Sequence, residues 1–246
     1  MLASIASDVG RVRETNEDAY CLCQLLTAGR PLLLAVADGM GGYVDGEIAS
    51  RLAVRQLRLD LEQYRGNQSD YLPRLVASFE AANQAVFEAA RGSMGTTLTS
   101  ALLLGDRLLL AHVGDSRAYL LREGSLQQLT HDHSLVGLMV RNGELDEDEA
   151  MHHPHRHLLM RALGTESTVA VDTAEFKVEP GDIILLCTDG LTNLVQGDEV
   201  VEALGSRKIL SPVATDLVQL ANSRGGSDNI TVMAVGVELV LGEERS

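Results

Sequence analysis

Apolar and polar positions along the chain form short stretches that predict both strands and helices. Near the start, "ASIASDV" (3–9), "AYCLCQLL" (19–26) and "PLLLAVA" (31–37) have the length and the composition of strands. Two helices are predicted next, over residues 47–64 and 71–90, because apolar residues recur there at helical spacing.

The second half of the chain returns to strands. The stretches "GTTLTSALLLG", "RLLLAHVGDS" and "RAYLLREGSLQQL" predict an antiparallel meander, since Gly-Asp and Asp-Ser turns separate them. Strands resume at "TAEFKV" and "DIILLCTDG", two helical pieces are predicted over about 191–222, and "NITVMAVGV" follows. Strands, then helices, then strands, with few β-α-β units, favour an α+β layered sandwich.

Residues 131–165 differ from the rest of the chain. They are charged, helical by period, and hold six of the seven histidines, which predicts an insertion on the core. The "HHPHRH" run lacks the regular spacing of a zinc finger or zinc protease, so surface or capping histidines are favoured. Because no linker, repeat or low-complexity tract divides the chain, we predict one domain over 1–246.

Composition and charge narrow the classes of function. No run approaches the roughly 18 to 20 apolar residues of a membrane span, the N-terminus lacks a signal-peptide pattern, and the three cysteines include no CxxC pair. We therefore expect a cytoplasmic protein without a membrane span. The net charge of −15, from 35 acidic and 20 basic residues, disfavours nucleic-acid binding and is compatible with divalent cations.

The glycine-rich stretch "ADGMGGYVDGE" (37–47) raises the question of a phosphate loop. The dinucleotide pattern GxGxxG fails because residue 44 is Val, and no lysine is present for a Walker loop. Asp38 would also repel a phosphate. A carboxylate followed by glycine suits a hard cation instead, because glycine lets its own carbonyl oxygen approach the ion.

Other acids occupy comparable positions at the ends of apolar strands. These are Glu17, Asp18, Asp115, Asp189 and Asp228. Any one of them could be an ordinary turn residue. Together they could converge on one rim, where crowded carboxylates are costly without cations, and ligation by oxygen atoms alone favours Mg²⁺ or Mn²⁺ over zinc.

Several motifs occur in one order along the chain: "RVRETNEDA", "VADGMGG", "MGTTLTSALL", "HVGDSRAYLLR", "HPHRHLLMRALG", "LLCTDGLTNL" and "GGSDNITV". This ordered set resembles the metal-dependent serine/threonine phosphatases of type 2C, the PPM family, in their bacterial form. The resemblance covers residues from about 5 to 236.

The resemblance implies a fold and a reaction. The fold is a four-layer α-β-β-α sandwich of two antiparallel sheets flanked by helices, with 131–165 as a flap beside the active site. The reaction is hydrolysis of phosphoserine and phosphothreonine in proteins by a metal-activated water at a binuclear Mg²⁺ or Mn²⁺ centre, without a phosphoenzyme.

The resemblance also implies a role for each matching residue. Asp38 would bridge the two ions, with the Gly39 carbonyl on one of them and with Asp189 and Asp228 completing the other. The further implied roles are metal holding through waters for Glu17 and Asp18, phosphate binding for Arg13, ligation of a third, weaker ion for Asp115, and an orienting amide for Asn229.

Three positions depart from the family pattern or stay open. Met40 stands where eukaryotic members keep a histidine thought to protonate the leaving group, so water or another group is expected to do so. Tyr43 replaces the commoner histidine beside the substrate cleft and could alter substrate choice. His157 falls where family members carry a flap residue near the third metal and the substrate.

Two alternatives to a general phosphoprotein phosphatase are open at this stage. One is a phosphatase dedicated to a single signalling partner, and the other is a catalytically idle relative that binds partners. An idle relative typically loses ligand acids, whereas Arg13, Asp38, Asp189 and Asp228 are all present here. A cognate serine/threonine kinase is expected from family habit alone.

Overall fold

The structure is a computed structural model that describes residues 3–41, 45–90, 93–205 and 212–237. Within these ranges the strands are β1 (Ala3–Asp8), β2 (Asp18–Gln24), β3 (Leu32–Met40), β4 (Gly95–Thr96), β5 (Leu98–Leu104), β6 (Arg107–Val113), β7 (Arg117–Arg122), β8 (Ser125–Gln128), β9 (Asp172–Lys177), β10 (Ile183–Cys187) and β11 (Ile230–Gly236). The helices are α1 (Asp45–Glu62), α2 (Tyr71–Ala90), α3 (Leu135–Arg141), α4 (Glu147–His152), α5 (Asp189–Thr192), α6 (Gly197–Gly205) and α7 (Val213–Ser223), and a 3₁₀ turn (Gln68–Asp70) precedes α2.

The strands form two antiparallel sheets. One sheet has five strands in the order β1-β11-β10-β7-β8, and the other has the order β2-β3-β5-β6-β9, with β4 pairing to the end of β3. Apolar side chains fill the space between the sheets, α1 and α2 cover the outer face of the second sheet, and α5, α6 and α7 cover the first. This is the predicted four-layer α-β-β-α sandwich.

Strand alternation explains why the central strands are apolar without interruption. Along β3, Leu33 and Ala35 face the helices α1 and α2, whereas Leu34 and Val36 face the opposite sheet. All four of these residues are fully buried. Because side chains of a strand point alternately to its two faces, a strand covered on both sides must be apolar at every position.

The structure corrects several expectations about the pairing, the number and the bounds of the elements. The predicted meander is wrong, because β7 leaves the sheet of β5 and β6 and pairs with β10 and β8. Residues 131–165 contain only the short helices α3 and α4 rather than a continuous helical pattern. The expected helical pieces over 191–222 are three helices, which begin earlier, at Asp189.

One correction affects the site directly. The apolar run 31–37 predicted a strand that ends before Asp38, but β3 continues through Asp38 and Gly39 to Met40. Its last two residues pair with Thr96 and Gly95. Asp38 is therefore held inside a paired strand rather than in a turn. In the described ranges, no helix has the length and apolar character required to cross a membrane.

Candidate active site

A cleft of about 730 Å³ lies where the ends of the two sheets meet the flap. Its wall includes most of the residues that the sequence singled out. They are Arg13, Glu17, Asp38, Gly39, Met40, Asp115, His157, Asp189 and Asp228. The two sheets and the flap thus bring residues far apart in sequence to a single cavity.

Backbone contacts on both sides fix Asp38. Its N–H donates to the Thr97 hydroxyl at 2.8 Å, and its carbonyl oxygen accepts from the Thr97 N–H at 2.9 Å and from the Thr96 hydroxyl at 2.9 Å. Asp18 is its register partner on β2. The Asp38 carboxylate therefore has a defined direction, since its main chain is fixed by two neighbouring strands.

Gly39 and Gly46 allow the start of α1 to approach the end of β3. A Cβ atom on Gly39 would overlap the carbonyl oxygen of Gly46 and lie 2.8 Å from the carbonyl oxygen of Glu17. A Cβ atom on Gly46 would lie 2.7 Å from the carboxyl carbon of Glu17. Glycine at both positions is thus required by packing, and it leaves the Gly39 backbone at the cleft wall.

Asp18 lies beneath the cleft rather than in its wall. The carboxylate is buried, and its Oδ2 accepts hydrogen bonds from the hydroxyls of Thr188 at 2.9 Å and Thr231 at 2.6 Å. Its Oδ1 has no hydrogen-bond partner among the described residues. Since buried polar atoms rarely lack a partner, this oxygen indicates a missing donor or cation.

Glu17 is positioned by the amide of Asn229. The Glu17 N–H donates to Asn229 Oδ1 at 2.8 Å, and Asn229 Nδ2 donates to the carbonyl oxygens of Val9 and Thr15, both at 2.9 Å. Asn229 does not line the cleft. These hydrogen bonds hold the segment that leads into β2 from beneath the site.

The five-stranded sheet contributes Asp189 at the start of α5. Asn193, one turn later, donates to Asp189 Oδ2 at 3.0 Å, and His157 Nδ1 lies 3.9 Å from the same oxygen. The other oxygen, Asp189 Oδ1, is buried without a partner among the described residues. Asp189 thus resembles Asp18, because one carboxylate oxygen accepts a hydrogen bond and the other has no partner among the described residues.

Asp228 and Arg13 form an ion pair at the mouth of the cleft. Arg13 Nη2 donates to Asp228 Oδ2 at 2.9 Å, and about half of the arginine side chain is exposed. The guanidinium has five N–H donors, so the contact with Asp228 uses one of them, and Arg13 lines the cavity. Asp228 lies just before β11 and follows the tight turn at Gly225 and Gly226.

Asp115 follows β6 and faces the cleft from the flap side. The adjacent Gly114 N–H donates to His133 Nδ1 at 3.1 Å, and the Gly114 carbonyl oxygen accepts from the His133 N–H at 2.7 Å. The Ser116 hydroxyl lies 2.7 Å from the hydroxyl of Thr97. The loop that carries Asp115 is therefore tied both to the flap and to the strand beside Asp38.

Crowding of carboxylates changes their acidity. Burial, followed by the neighbouring Asp18 and Asp189 carboxylates, raises the pKa of Asp38 well above its usual range, and burial followed by Asp189 does the same for Asp115. Burial also raises the pKa of Asp18 to about 7. The pKa of Asp228 is raised by burial and then by Asp189.

Asp189 is the exception among these carboxylates. Burial acts to raise its pKa, but the neighbouring side chains of His157, Asp38 and Asn193 outweigh burial and lower it. Asp189 is therefore the carboxylate most ready to be ionised in this cluster. The others are acids held together at an electrostatic cost that a cation would relieve.

The donor set fits hard divalent cations. The cleft offers carboxylate and backbone carbonyl oxygens, and two buried carboxylate oxygens lack partners. Among the described residues no three His, Cys, Asp or Glu side chains converge into a ready cage. Mg²⁺ and ions of similar chemistry keep several waters and are held by one or two carboxylates, so this spacing suits them.

The structure leaves one predicted site residue undescribed and adds others that the sequence did not single out. Tyr43 lies outside the described residues, so its effect on substrate choice stays a prediction. The residues missed were those that hold the acids in place: Thr97, Thr188, Asn193 and Thr231. Only Asn193 carried a local signal, because it lies one helical turn after Asp189.

A model of the protein family described as protein phosphatase 2C matches residues 11–230. The chain belongs to this family. The serine/threonine phosphatase stp of Listeria monocytogenes serotype 4b is 39% identical over 246 aligned positions, and the alignment covers 97% of this chain and 97% of that protein.

Solved structures agree with this protein phosphatase 2C assignment. The serine/threonine phosphatase of S. agalactiae superposes with a TM-score of 0.90 at 35% identity, covering 96% of this chain and 99% of that one. The catalytic domain of the serine/threonine protein phosphatase PstP, solved in complex with two manganese ions, has a TM-score of 0.83 at 38% identity, covering 95% and 96%. The predicted family, fold and serine/threonine phosphatase activity are confirmed, and a catalytically idle relative is not favoured.

Proposed function

We propose that this serine/threonine protein phosphatase works with two Mg²⁺ or Mn²⁺ ions in the cleft. The proposal is carried by one observation, the meeting of Glu17, Asp38, Asp189 and Asp228 from both sheets at a single cavity. Asp38 would lie between the ions, with the Gly39 carbonyl on one and with Asp189 and Asp228 on the other. Manganese in the related PstP catalytic domain supports this choice of ion.

The further acids have supporting roles in this proposal. Glu17 and Asp18 would hold the ions mostly through water, which agrees with the position of Asp18 beneath the cleft wall. Asp115 would hold a third, weaker ion on the flap side. When bound, such ions supply positive charge opposite the phosphoryl oxygens and an activated water for direct hydrolysis, so no phosphoenzyme forms.

The chain's own residues bind and orient the substrate. Arg13 at the mouth of the cleft would grip the phosphate with its free N–H donors, since the planar guanidinium matches phosphate geometry. Met40 lines the cleft but has no proton to give. Protonation of the leaving oxygen therefore falls to water or to His157, whose imidazole lines the same cavity from the flap.

The biological setting follows from the activity rather than from any residue. We infer that the substrates are phosphoserine and phosphothreonine proteins, that a cognate kinase supplies them, and that both act in cytoplasmic signalling. We also infer that residues 1–246 form one phosphatase domain with 131–165 as the flap. A phosphatase dedicated to one signalling partner would keep the same chemistry and differ only in the range of proteins it accepts.

Metal-dependent hydrolysis by purified protein tests the proposed chemistry. We expect p-nitrophenyl phosphate and a phosphothreonine peptide to be hydrolysed with Mn²⁺ or Mg²⁺, and hydrolysis to stop with EDTA. Asp38→Ala should lower kcat/KM by roughly a hundredfold or more, as does removal of other groups that stabilise transition-state charge.

Asp106→Ala is the matched control, because it removes the same group from an exposed site outside the cleft. Its activity should equal that of the unaltered protein. Activity that is insensitive to EDTA, or that survives in Asp38→Ala, would refute the two-ion centre. Phosphate found covalently attached to acid-quenched protein would refute direct attack by water.

A further inference from the structure

A second cavity of about 720 Å³ lies between the flap and the helices of the five-stranded sheet. Its lining includes Val136 and Val140 of α3, Val200 and Val201 of α6, and Leu126 of β8. We call this cavity the flap groove, and its wall combines these aliphatic side chains with polar and charged ones.

The flap groove opens directly into the active-site cleft. Residues of the flap, of the Asp115 loop and of α5 and the segment that follows it line both cavities; these are Asp115, Met151, Arg156, Asp189, Asn193 and Gln196. At this junction Gln196 Nε2 lies 3.7 Å from Met151 Sδ. Because the two cavities share these six residues, a polypeptide whose phosphate occupies the cleft also lies beside the groove.

The interior of the flap groove is electrostatically unlike the cleft. Arg117 in its floor makes a bidentate ion pair with Asp132, with N–O distances from 2.8 to 3.1 Å, so these two charges cancel locally. The exposed charges of opposite sign, Arg141 and Asp198, also line the groove. The aliphatic side chains that α3, α6 and β8 contribute to this groove favour an uncharged, apolar side chain beside them.

We propose that the flap groove is a substrate subsite, which binds an aliphatic or aromatic side chain of the phosphoprotein a few residues from the phosphorylated one. This inference rests on the proposed function, because the phosphate must occupy the neighbouring cleft. It predicts that the enzyme distinguishes phosphoproteins by an apolar residue at a fixed distance from the phosphoserine or phosphothreonine. The flap thereby contributes to specificity through the wall it forms, and the metal-binding acids remain common to all substrates.

The first test is a set of phosphothreonine peptides with alanine at every flanking position except one. That position carries leucine or phenylalanine and is moved, peptide by peptide, from four residues before the phosphothreonine to four after it. We expect kcat/KM with Mn²⁺ to rise about tenfold at one or two positions, which is the usual gain from one apolar contact in a specificity pocket. Equal kcat/KM for all peptides would overturn the proposal.

The second test places a charge in the groove wall. Val140→Glu is compared with Leu138→Glu on the same helix, because Leu138 is exposed and does not line the groove. Each rate is divided by the rate of the same variant with p-nitrophenyl phosphate, which has no flanking residues. Val140→Glu should lose the tenfold preference for the apolar peptide, and Leu138→Glu should keep it.

A third variant, Val201→Glu, places the charge on α6 instead of α3 and should lose the same preference. Loss of preference in both wall variants supports the subsite even if one of them is poorly folded. Retention in both, or equal loss in Leu138→Glu, would overturn it. Absence of any Mn²⁺-dependent hydrolysis of p-nitrophenyl phosphate by the unaltered protein would instead refute the proposed function.

Discussion

At the scale of single residues, the site depends on side chains that do not touch the cleft. The Asn229 amide makes three hydrogen bonds to segments that precede β2, and only 3% of the residue is exposed. Those segments carry Arg13 and Glu17. One buried amide therefore fixes the position of a proposed phosphate-binding residue and a proposed metal-binding residue.

Replacing Asn229 by alanine should destabilise the protein and weaken metal activation together. The N–H of Glu17 and two backbone carbonyl oxygens would lose their partner in a buried setting, at a total cost of about 2 to 4 kcal/mol. Urea unfolding would give the free energy, and titration with Mn²⁺ would give the concentration for half-maximal activity, which should rise. Asn142→Ala is the control, because Asn142 is exposed and its side-chain amide donates to the exposed Glu144.

The contact between β3 and the start of α1 is the second residue-scale prediction. Gly39→Ala should abolish activity and lower stability, because the new methyl group would overlap the backbone of Gly46. Gly205→Ala is the control, since among the described residues, apart from its chain neighbours and its own helix backbone, no atom lies within 4 Å of the position of its new methyl group. Activity and thermal unfolding of both variants check the prediction, and a fully active Gly39→Ala protein would contradict it.

At the scale of elements, local patterns predicted where strands and helices lie more successfully than which strands pair with one another. Strand β3 and helices α1 and α2 follow from apolar runs and helical periodicity, which are visible within a short window. The pairing of β7 with β10 rather than with β6 is a long-range choice that leaves no local trace. The meander prediction failed for that reason.

The site shows the same division between local and long-range information. Its acids were predicted because each ends or begins an apolar strand within a motif of several residues. Hydroxyl groups of threonines such as Thr97 and Thr231 support these acids. In the sequence these threonines look like ordinary residues of strand-like stretches. Their roles arise only when β3 meets β5 and when β11 lies beside β10 and reaches Asp18.

The pairing of β5 with β6 buries a histidine whose protonation should weaken the fold. His112 lies opposite Thr99, which is 2.8 Å from its Nδ1, and His112 Nε2 lies 3.1 Å from the carbonyl oxygen of His131. Burial, followed by the nearby His133, lowers the pKa of His112 to about 3. A neutral ring is therefore part of the folded state.

The sign of the resulting pH dependence follows from that lowered pKa. The ordinary pKa of histidine is about 6.5, and that of folded His112 is about 3. Between these two pH values His112 is protonated in the unfolded chain and neutral in the folded protein. The contribution of His112 to the free energy of unfolding is thus lost as the pH falls, and this loss is about 2 kcal/mol between pH 7 and pH 5. Denaturant unfolding at pH 7 and pH 5 should show that the free energy of unfolding changes less between the two pH values for His112→Gln than for the unaltered protein. An equal change in both proteins would contradict the argument.

At the scale of the whole molecule, the site is a product of the stacking of the two sheets. Asp18 and Asp38 come from the sheet of β2 and β3, whereas Asp189 and Asp228 adjoin strands β10 and β11 of the other sheet. The chain as a whole carries a net charge of −15, and this cluster concentrates acids at the junction of both sheets. The site therefore exists only in the folded chain, and its crowded carboxylates oppose the folding that assembles them.

Divalent ions should consequently stabilise the folded protein, and one substitution should separate stability from function. Binding of Mn²⁺ to the folded state alone raises the free energy of unfolding by about 2.7 kcal/mol per site at a free concentration one hundred times the Kd. Asp38→Asn removes a carboxylate from the centre of the cluster, so in EDTA this variant should unfold at higher denaturant concentration than the unaltered protein. Added Mn²⁺ should stabilise the variant much less, because the proposed bridging ligand is gone. Denaturant unfolding curves of both proteins, with Mn²⁺ and with EDTA, check these two expectations. If Asp38→Asn is less stable than the unaltered protein in EDTA, or if Mn²⁺ stabilises both proteins equally, then the ions do not act by relieving repulsion among these acids.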